Sequence, residues 1–368
     1  MKNNNSKNPF GGIILGIIML IGGTILLWWN EGENVKNINA VKEVKDKVVT
    51  VSSDKVDSSN EDKLILTSGN ISNNGEEIKD ESFGVSVNSS LLKRNVEVYC
   101  WVETENNNDN TTTYSYSKEW RDDLVDSSNF HESGHTNPTS LVVDDKEIAA
   151  SKVSVGAFTL SDKQKTMLGT DAKFGVNDAN LDLAETYNVS EGYVTTATNL
   201  SSPEVGDIRI SWTYNDWKDS TILAVQKGDS FADFVSKDGK KINRVEKGTL
   251  TADELILKME NENKMMKWLF RGLGALLIVL GYASILSPIS KLTSFIPVVG
   301  GIVGGIVGLI SFIVGLIHSL IIIIIAWFRF RPILAVILLV VIAALVVTLI
   351  TLLKKGKKST VTEAKVVE

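Results

Sequence analysis

The chain is 368 residues long, 43% hydrophobic, and carries 38 Lys and Arg against 44 Asp and Glu, a net charge of -6. An acidic balance without a Lys/Arg stripe argues against nucleic acid, whose phosphates demand a basic face. A single cysteine, Cys100, excludes an internal disulfide framework.

The apolar residues are concentrated in four runs, 13–29, 268–286, 295–327 and 333–353, and a long polar stretch separates the first run from the rest. A bilayer core about 30 Å thick needs roughly 20 apolar residues per helix. The layout predicts an integral membrane α-helical protein of four spans with a β-rich α+β domain outside the cytoplasm. Its expected parts are a tail at 1–10, a span at 11–29, the extracytoplasmic or luminal domain at 30–265 and a second span at 266–287. A glycine-rich break with a third span at 288–327, a fourth span at 332–353 and a tail at 354–368 complete it.

Lys2 and Lys7 precede the first run, which ends in Trp28-Trp29-Asn30-Glu31-Gly32 without a small-residue cleavage site. That reads as an uncleaved anchor with interfacial tryptophans and not as a signal peptide. Lys354, Lys355, Lys357 and Lys358 follow the last run. With an even number of spans, the positive-inside rule places both termini in the cytoplasm. Arg329, Arg331, Lys264, Lys267 and Arg271 would then lie on the far side, against the rule.

In the polar stretch, Ile38, Val41, Val44 and Val48 recur at helical spacing, which predicts an amphipathic helix leaving the membrane. Residues 63–67 form a short strand. In 95–103, Val96, Val98, Cys100 and Val102 alternate with polar and aromatic residues; beyond the turn cluster at 106–110, Tyr114 and Tyr116 alternate with serines. This pattern predicts a hairpin, with Cys100 as a core or sheet-face residue. The alternation in 207–214 predicts a further strand, with 221–226 as its partner. Ser161–Gln164 and Thr251–Glu254 have the spacing of capping boxes. No Gly or Pro lies between the second box and Trp268, so one helix is expected to run from the domain into the second span.

One motif bears on catalysis. His131-Glu132-Ser133-Gly134-His135 matches H-E-x-x-H, which on a helix can hold zinc with the glutamate as general base. Here it contains Ser-Gly and runs into Asn137-Pro138, which disfavours the helix that the chemistry requires. The expected reading is a structured loop. His131, Glu132 and His135 stand as metal-site candidates only for an alternative function, a membrane-bound metal-dependent hydrolase. No other catalytic, metal or cofactor residues are assigned.

The third apolar run opens with Pro297 and is rich in glycine, so a break is expected there before a span ending at Trp327. Gly300, Gly301, Gly304, Gly305 and Gly308 form small-xxx-small spacings, the pattern of close helix packing within the bundle or of self-association. His318 is the ionisable residue well inside this run, and a neutral hydrogen bond to a neighbouring helix is the expected role. A small-molecule or lipid-handling bundle built around these glycines and His318 is a third reading.

Several segments together resemble one family. They are Asn30-Glu31-Gly32, residues 92–103, Tyr114-Ser115-Tyr116, Glu119-Trp120, Asn129-Phe130, Gly134-His135-Thr136-Asn137-Pro138, residues 204–210 and Trp327-Phe328-Arg329-Phe330-Arg331-Pro332. In order and spacing they look like the transmembrane protein 43, or LUMA, family. The resemblance implies four spans, cytoplasmic termini and a luminal domain. In animals it implies the endoplasmic reticulum and inner nuclear membrane, envelope organisation through emerin and lamins, and self-association. No catalytic residues come with it. The Lys/Asn-rich character points to a bacterial member and thus to the bacterial cytoplasmic membrane. The expected function is a self-associating, multi-pass scaffold in envelope organisation or membrane stress response. Its expected partners are the lipid bilayer, a second copy and other envelope proteins, with no cofactor and no nucleic acid.

Overall fold

The computed structural model describes residues 9–108, 111–176, 181–293, 297–337 and 340. The chain divides into a helical unit, Met1–Glu43 with Ile256–Glu368, and a β-rich unit, Val44–Leu255. The second is narrower than the expected 30–265, because the polar ends of two long helices cluster with the helical unit.

The helical unit is built on α1 (Pro9–Lys47), α3 (Ala252–Thr293) and α4 (Pro297–Phe330). Each contains a stretch long and apolar enough to cross a membrane. The first span and the expected amphipathic helix are one continuous α1. The fourth expected span is described only for its first turns, since most of 332–353 lies outside the described residues, as do the tail at 354–368 and most of 1–10.

The glycine-rich segment departs from expectation, since α4 runs from Pro297 through Gly308 to Phe330 without interruption. A glycine costs a helix about 1 kcal/mol in water, but in hydrocarbon every unbonded peptide group costs more, so the helix continues. Pro297 suits the first position because its missing N–H would be unsatisfied there anyway. Pro288 lies inside α3, and the Ser287 hydroxyl donates to the Ser284 carbonyl that the proline leaves without an amide (2.9 Å).

Glycines set how closely these helices approach. A Cβ at Gly16 would lie 2.7 Å from the Gly281 carbonyl, and one at Gly23 would lie 2.8 Å from the Gly274 carbonyl. At Gly315 it would meet Val279 at 2.6 Å. These contacts place α1 against α3 and α3 against α4, in antiparallel order.

The β-rich unit packs two sheets around one core. One comprises β1 (Val49–Thr50), β2 (Leu64–Ser72), β8 (Ser154–Val155), β9 (Phe158–Thr159), β14 (Asp219–Lys227), β15 (Ser230–Ala232) and β18 (Arg244–Lys247). The other comprises β5 (Leu91–Asn108), β6 (Thr111–Arg121), β7 (Lys146–Ala149), β10 (Ala172–Lys173), β11 (Asn188–Ser190), β12 (Tyr193–Thr195) and β13 (Ile208–Tyr214). Two ribbons, β3 (Glu77–Asp80) with β4 (Val85–Asn88) and β16 (Phe234–Val235) with β17 (Lys241–Ile242), lie beside them.

The expected hairpin is β5–β6, with Glu103 opposite Tyr116. Its alternation is real: Val96, Val98 and Cys100 are buried in the core. Residues 221–226 do not pair with 207–214, however. β13 pairs with β5, β12 and β10, whereas β14 pairs with β2, β15 and β18. Between them the chain crosses sheets, and the Asn215 side chain donates to the Gly169 carbonyl at the crossing (2.7 Å). Proximity in sequence suggests a hairpin, but Ile210, Trp212, Ile222 and Ala224 are all buried in the shared core and are better satisfied facing one another from two sheets. Both capping boxes form; Ser161 caps α2 (Asp162–Lys165), and the Glu254 carboxylate accepts from the Thr251 amide and hydroxyl, both at 2.8 Å.

The core of this unit encloses an ion pair. Arg94 lies on the inward face of β5, and its Nη1 donates to both oxygens of Asp80 (3.0 and 2.9 Å). Trp212 Nε1 donates to the same carboxylate at 3.0 Å, and Phe83 lies under the guanidinium. Asp80 is fully buried, so three hydrogen bonds from two side chains replace the water it lost.

Candidate functional site

A polar cluster joining three helices of the helical unit lies where α1 leaves its apolar run. Glu31 is 1% exposed. Its carboxylate accepts from Arg271 Nε on α3 (2.6 Å) and from Trp327 Nε1 on α4 (3.0 Å). One turn away, Asn34 accepts from the Arg331 guanidinium. Asn30 donates to the Lys267 carbonyl (3.1 Å), and a Cβ on Gly32 would meet the Phe330 ring at 2.9 Å. Three helices are thus clamped at one end by a carboxylate, two amides, two guanidinium groups and an indole. Charged groups in an apolar setting persist when paired, as Glu31 and Arg271 are here.

The Asn-Glu-Gly segment and the Trp327–Pro332 segment, two of those that carry the family resemblance, are therefore two halves of one site. The signal for it was present: a carboxylate directly after one apolar run and an arginine just inside the next.

Further into the helices, Thr24, Tyr282 and His318 meet. Thr24 Oγ1 donates to the Leu20 carbonyl (2.7 Å), so its contact with His318 Nε2 (3.4 Å) assigns the proton to the imidazole. Nδ1 lies 3.2 Å from the Tyr282 hydroxyl, so the ring sits between polar groups of two other helices.

Of the five glycines expected to pack helices, Gly300 and Gly301 lie in the first turns of α4. A Cβ on Gly304, Gly305 or Gly308 would meet no described residue within 4 Å. Contacts among the described helices instead use Gly16, Gly23, Gly274, Gly281 and Gly315.

The histidine motif is a bend and turn beside the β5–β6 hairpin, with Gly134 at φ +100°. His131 stacks flat on Tyr114 (centroids 4.0 Å, 9°) and His135 on Tyr116 (3.8 Å, 1°). Two residues of a strand span roughly 6.6 Å, so the rings are held about that far apart, whereas nitrogens sharing one zinc must each lie about 2 Å from it. No group of three His, Cys, Asp or Glu suited to a metal ion occurs among the described residues. The Glu132 amide donates to the Tyr116 hydroxyl (2.8 Å), and that hydroxyl donates to Glu103 (2.5 Å). Tyr116, first, and then the His131 amide hold the Glu103 carboxyl below its usual range; burial and the bond to Glu103 raise the Tyr116 phenol.

Asn137 explains the rest of the motif. Its side chain accepts from the Trp101 amide (2.7 Å) and donates to the Trp101 and Val125 carbonyls (2.9 and 3.0 Å). One side-chain amide thereby completes the β5 edge just past the end of β13, in the manner of a neighbouring strand.

Apolar helices long enough to cross a bilayer, joined by a buried polar clamp and carrying a β-rich unit, define a multi-pass membrane protein. Its sequence relations are specific: the family model described as Transmembrane protein 43 matches residues 98–332, and the chain belongs to that family. Transmembrane protein 43 of Homo sapiens is 29% identical over 352 residues, covering 89% of this chain and 86% of that protein. The Rattus norvegicus protein is 28% identical over 351 residues, with the same coverages. The homolog of Drosophila melanogaster is 26% identical over 289 residues, covering 73% of this chain and 74% of its own. No solved structure gives a significant match.

Proposed function

We propose that the protein is a non-enzymatic, four-span membrane scaffold with both termini in the cytoplasm, which displays its β-rich unit on the opposite side and organises other envelope components. The observation that carries this reading is the connectivity. The chain enters the β-rich unit from α1 and leaves it through α3, two helices with membrane-spanning apolar stretches, and Glu31 and Arg271 lock those helices to each other. A displayed domain tethered at both ends by locked helices suits a fixed platform. Gly304, Gly305 and Gly308, whose added Cβ would meet no described residue, support self-association along α4.

Cysteine accessibility in intact cells tests the topology. Cysteines placed at Val142 and in the tail at 358 should label from opposite sides; labelling from the same side would overturn it. Chemical crosslinking in native membranes tests self-association, which Gly304→Leu should reduce severalfold. An unchanged monomer in both proteins would reject the oligomer.

A further inference from the structure

We infer that the clamp end of the helical unit binds the phosphate of an anionic phospholipid headgroup, with Lys267 and Arg331 as its ligands. At this end the three helices carry an outward belt of aromatic residues. Trp28, Trp29 and Trp268 are 39%, 48% and 58% exposed on otherwise apolar helices. Exposed tryptophans at the edge of an apolar span mark the depth at which lipid headgroups begin.

The charge at this depth is unbalanced. Glu31 is consumed by Arg271 and Trp327. Among the described residues, the Arg331 guanidinium bonds only to the neutral Asn34. Lys267 forms no salt bridge among the described residues; its ammonium lies over the Trp268 ring, 5.7 Å from the centroid. The two charges acting most strongly on it are the positive ones of Arg271 and Arg331, ahead of the negative charge of Glu31. Arg271 does not relieve this, since its Nη2 is buried without a hydrogen-bond partner and its guanidinium faces Trp268 and Trp327.

Two half-buried cations repelling each other at an apolar boundary are costly unless an anion joins them. A phosphodiester supplies that anion and accepts from a guanidinium and an ammonium together. The acyl chains of the same molecule would cover the exposed apolar flanks of α1 and α3, which a soluble anion cannot do. This inference rests on the helical unit alone and not on the scaffold reading or on which side of the membrane the clamp faces.

The test uses the full chain reconstituted in nanodiscs of phosphatidylcholine, with or without phosphatidylglycerol. Native mass spectrometry counts retained lipid, and thermal melting is followed in parallel. The wild-type protein should retain phosphatidylglycerol over phosphatidylcholine and melt higher in its presence. K267Q/R331Q should lose about thirtyfold of that preference, taking roughly fivefold for each basic group near an anionic lipid. R329Q, which leaves both ligands in place, should keep most of it. Equal retention of the two lipids by the wild type overturns the proposal and needs no variant to fold. So does displacement of phosphatidylglycerol by inorganic phosphate, because the ligand would then be a free anion.

Discussion

Glu31 and Arg271 are 240 residues apart in the chain, yet their side chains meet at 2.6 Å between two apolar helices. With side-chain exposures of 1% and 11%, the pair cannot fall back on water. Removing one partner leaves the other charged in an apolar setting, at about 3–5 kcal/mol. Glu31→Ala should therefore lower the stability of the helical unit in detergent by about that amount. Glu31→Gln/Arg271→Gln should cost less than the sum of the single changes, and simple additivity in the melting curves would show that the pair is not coupled.

Helix approach at glycine gives a second expectation. Gly23→Leu would drive a side chain into the Gly274 carbonyl and Ile278, both 2.8 Å from the new Cβ. It should separate α1 from α3 and destabilise the helical unit by about 1–3 kcal/mol, the usual cost of overpacking. Gly304→Leu meets no described neighbour and should leave the monomer's melting unchanged.

In the β-rich unit, Asp80→Ala would strand Arg94 and the Trp212 indole in the core. A loss of about 3–5 kcal/mol is expected, measured by urea unfolding with Trp212 fluorescence as the probe. Arg94→Met/Asp80→Leu should recover much of it, since apolar replacement of both partners removes the stranded charge.

The loop that contains the histidines makes a contrast between two neighbours. Asn137→Ala removes three hydrogen bonds to backbone groups and should cost about 2–3 kcal/mol. It should also speed amide exchange at Trp101. His131→Ala loses an exposed stack and should cost less than about 1.5 kcal/mol. Zinc bound stoichiometrically by the wild type and lost in His131→Ala would reverse the reading of the loop.

The depressed carboxyl of Glu103 sets a pH dependence. A group whose folded value lies below its ordinary value of 4.5 stabilises the fold above that pH. That contribution is lost as pH falls below 4.5 and through the folded value. Tyr116→Phe removes the leading cause, so the variant should show a shallower loss of stability on acidification over this range. Identical acid limbs for both proteins would dissociate the hydroxyl from the effect.

Much of this protein was legible in the chain because the signals are local. The apolar runs of α1, α3 and α4, the alternation around Val96–Cys100 and the boxes at Ser161 and Thr251 each depend on residues a few positions apart. The solvent on each side of an element, lipid or core, dictates such patterns directly. Tertiary structure alone decided what joins what. It put β13 and β14 in different sheets because both had buried faces to satisfy across one core. It continued α4 through the glycines because peptide groups in hydrocarbon need their helical bonds. It gave Glu31 its partners on two other helices and separated His131 from His135 on the rings of Tyr114 and Tyr116. Each of these rests on groups far apart in sequence or on side-chain directions, and neither spacing nor composition encodes them.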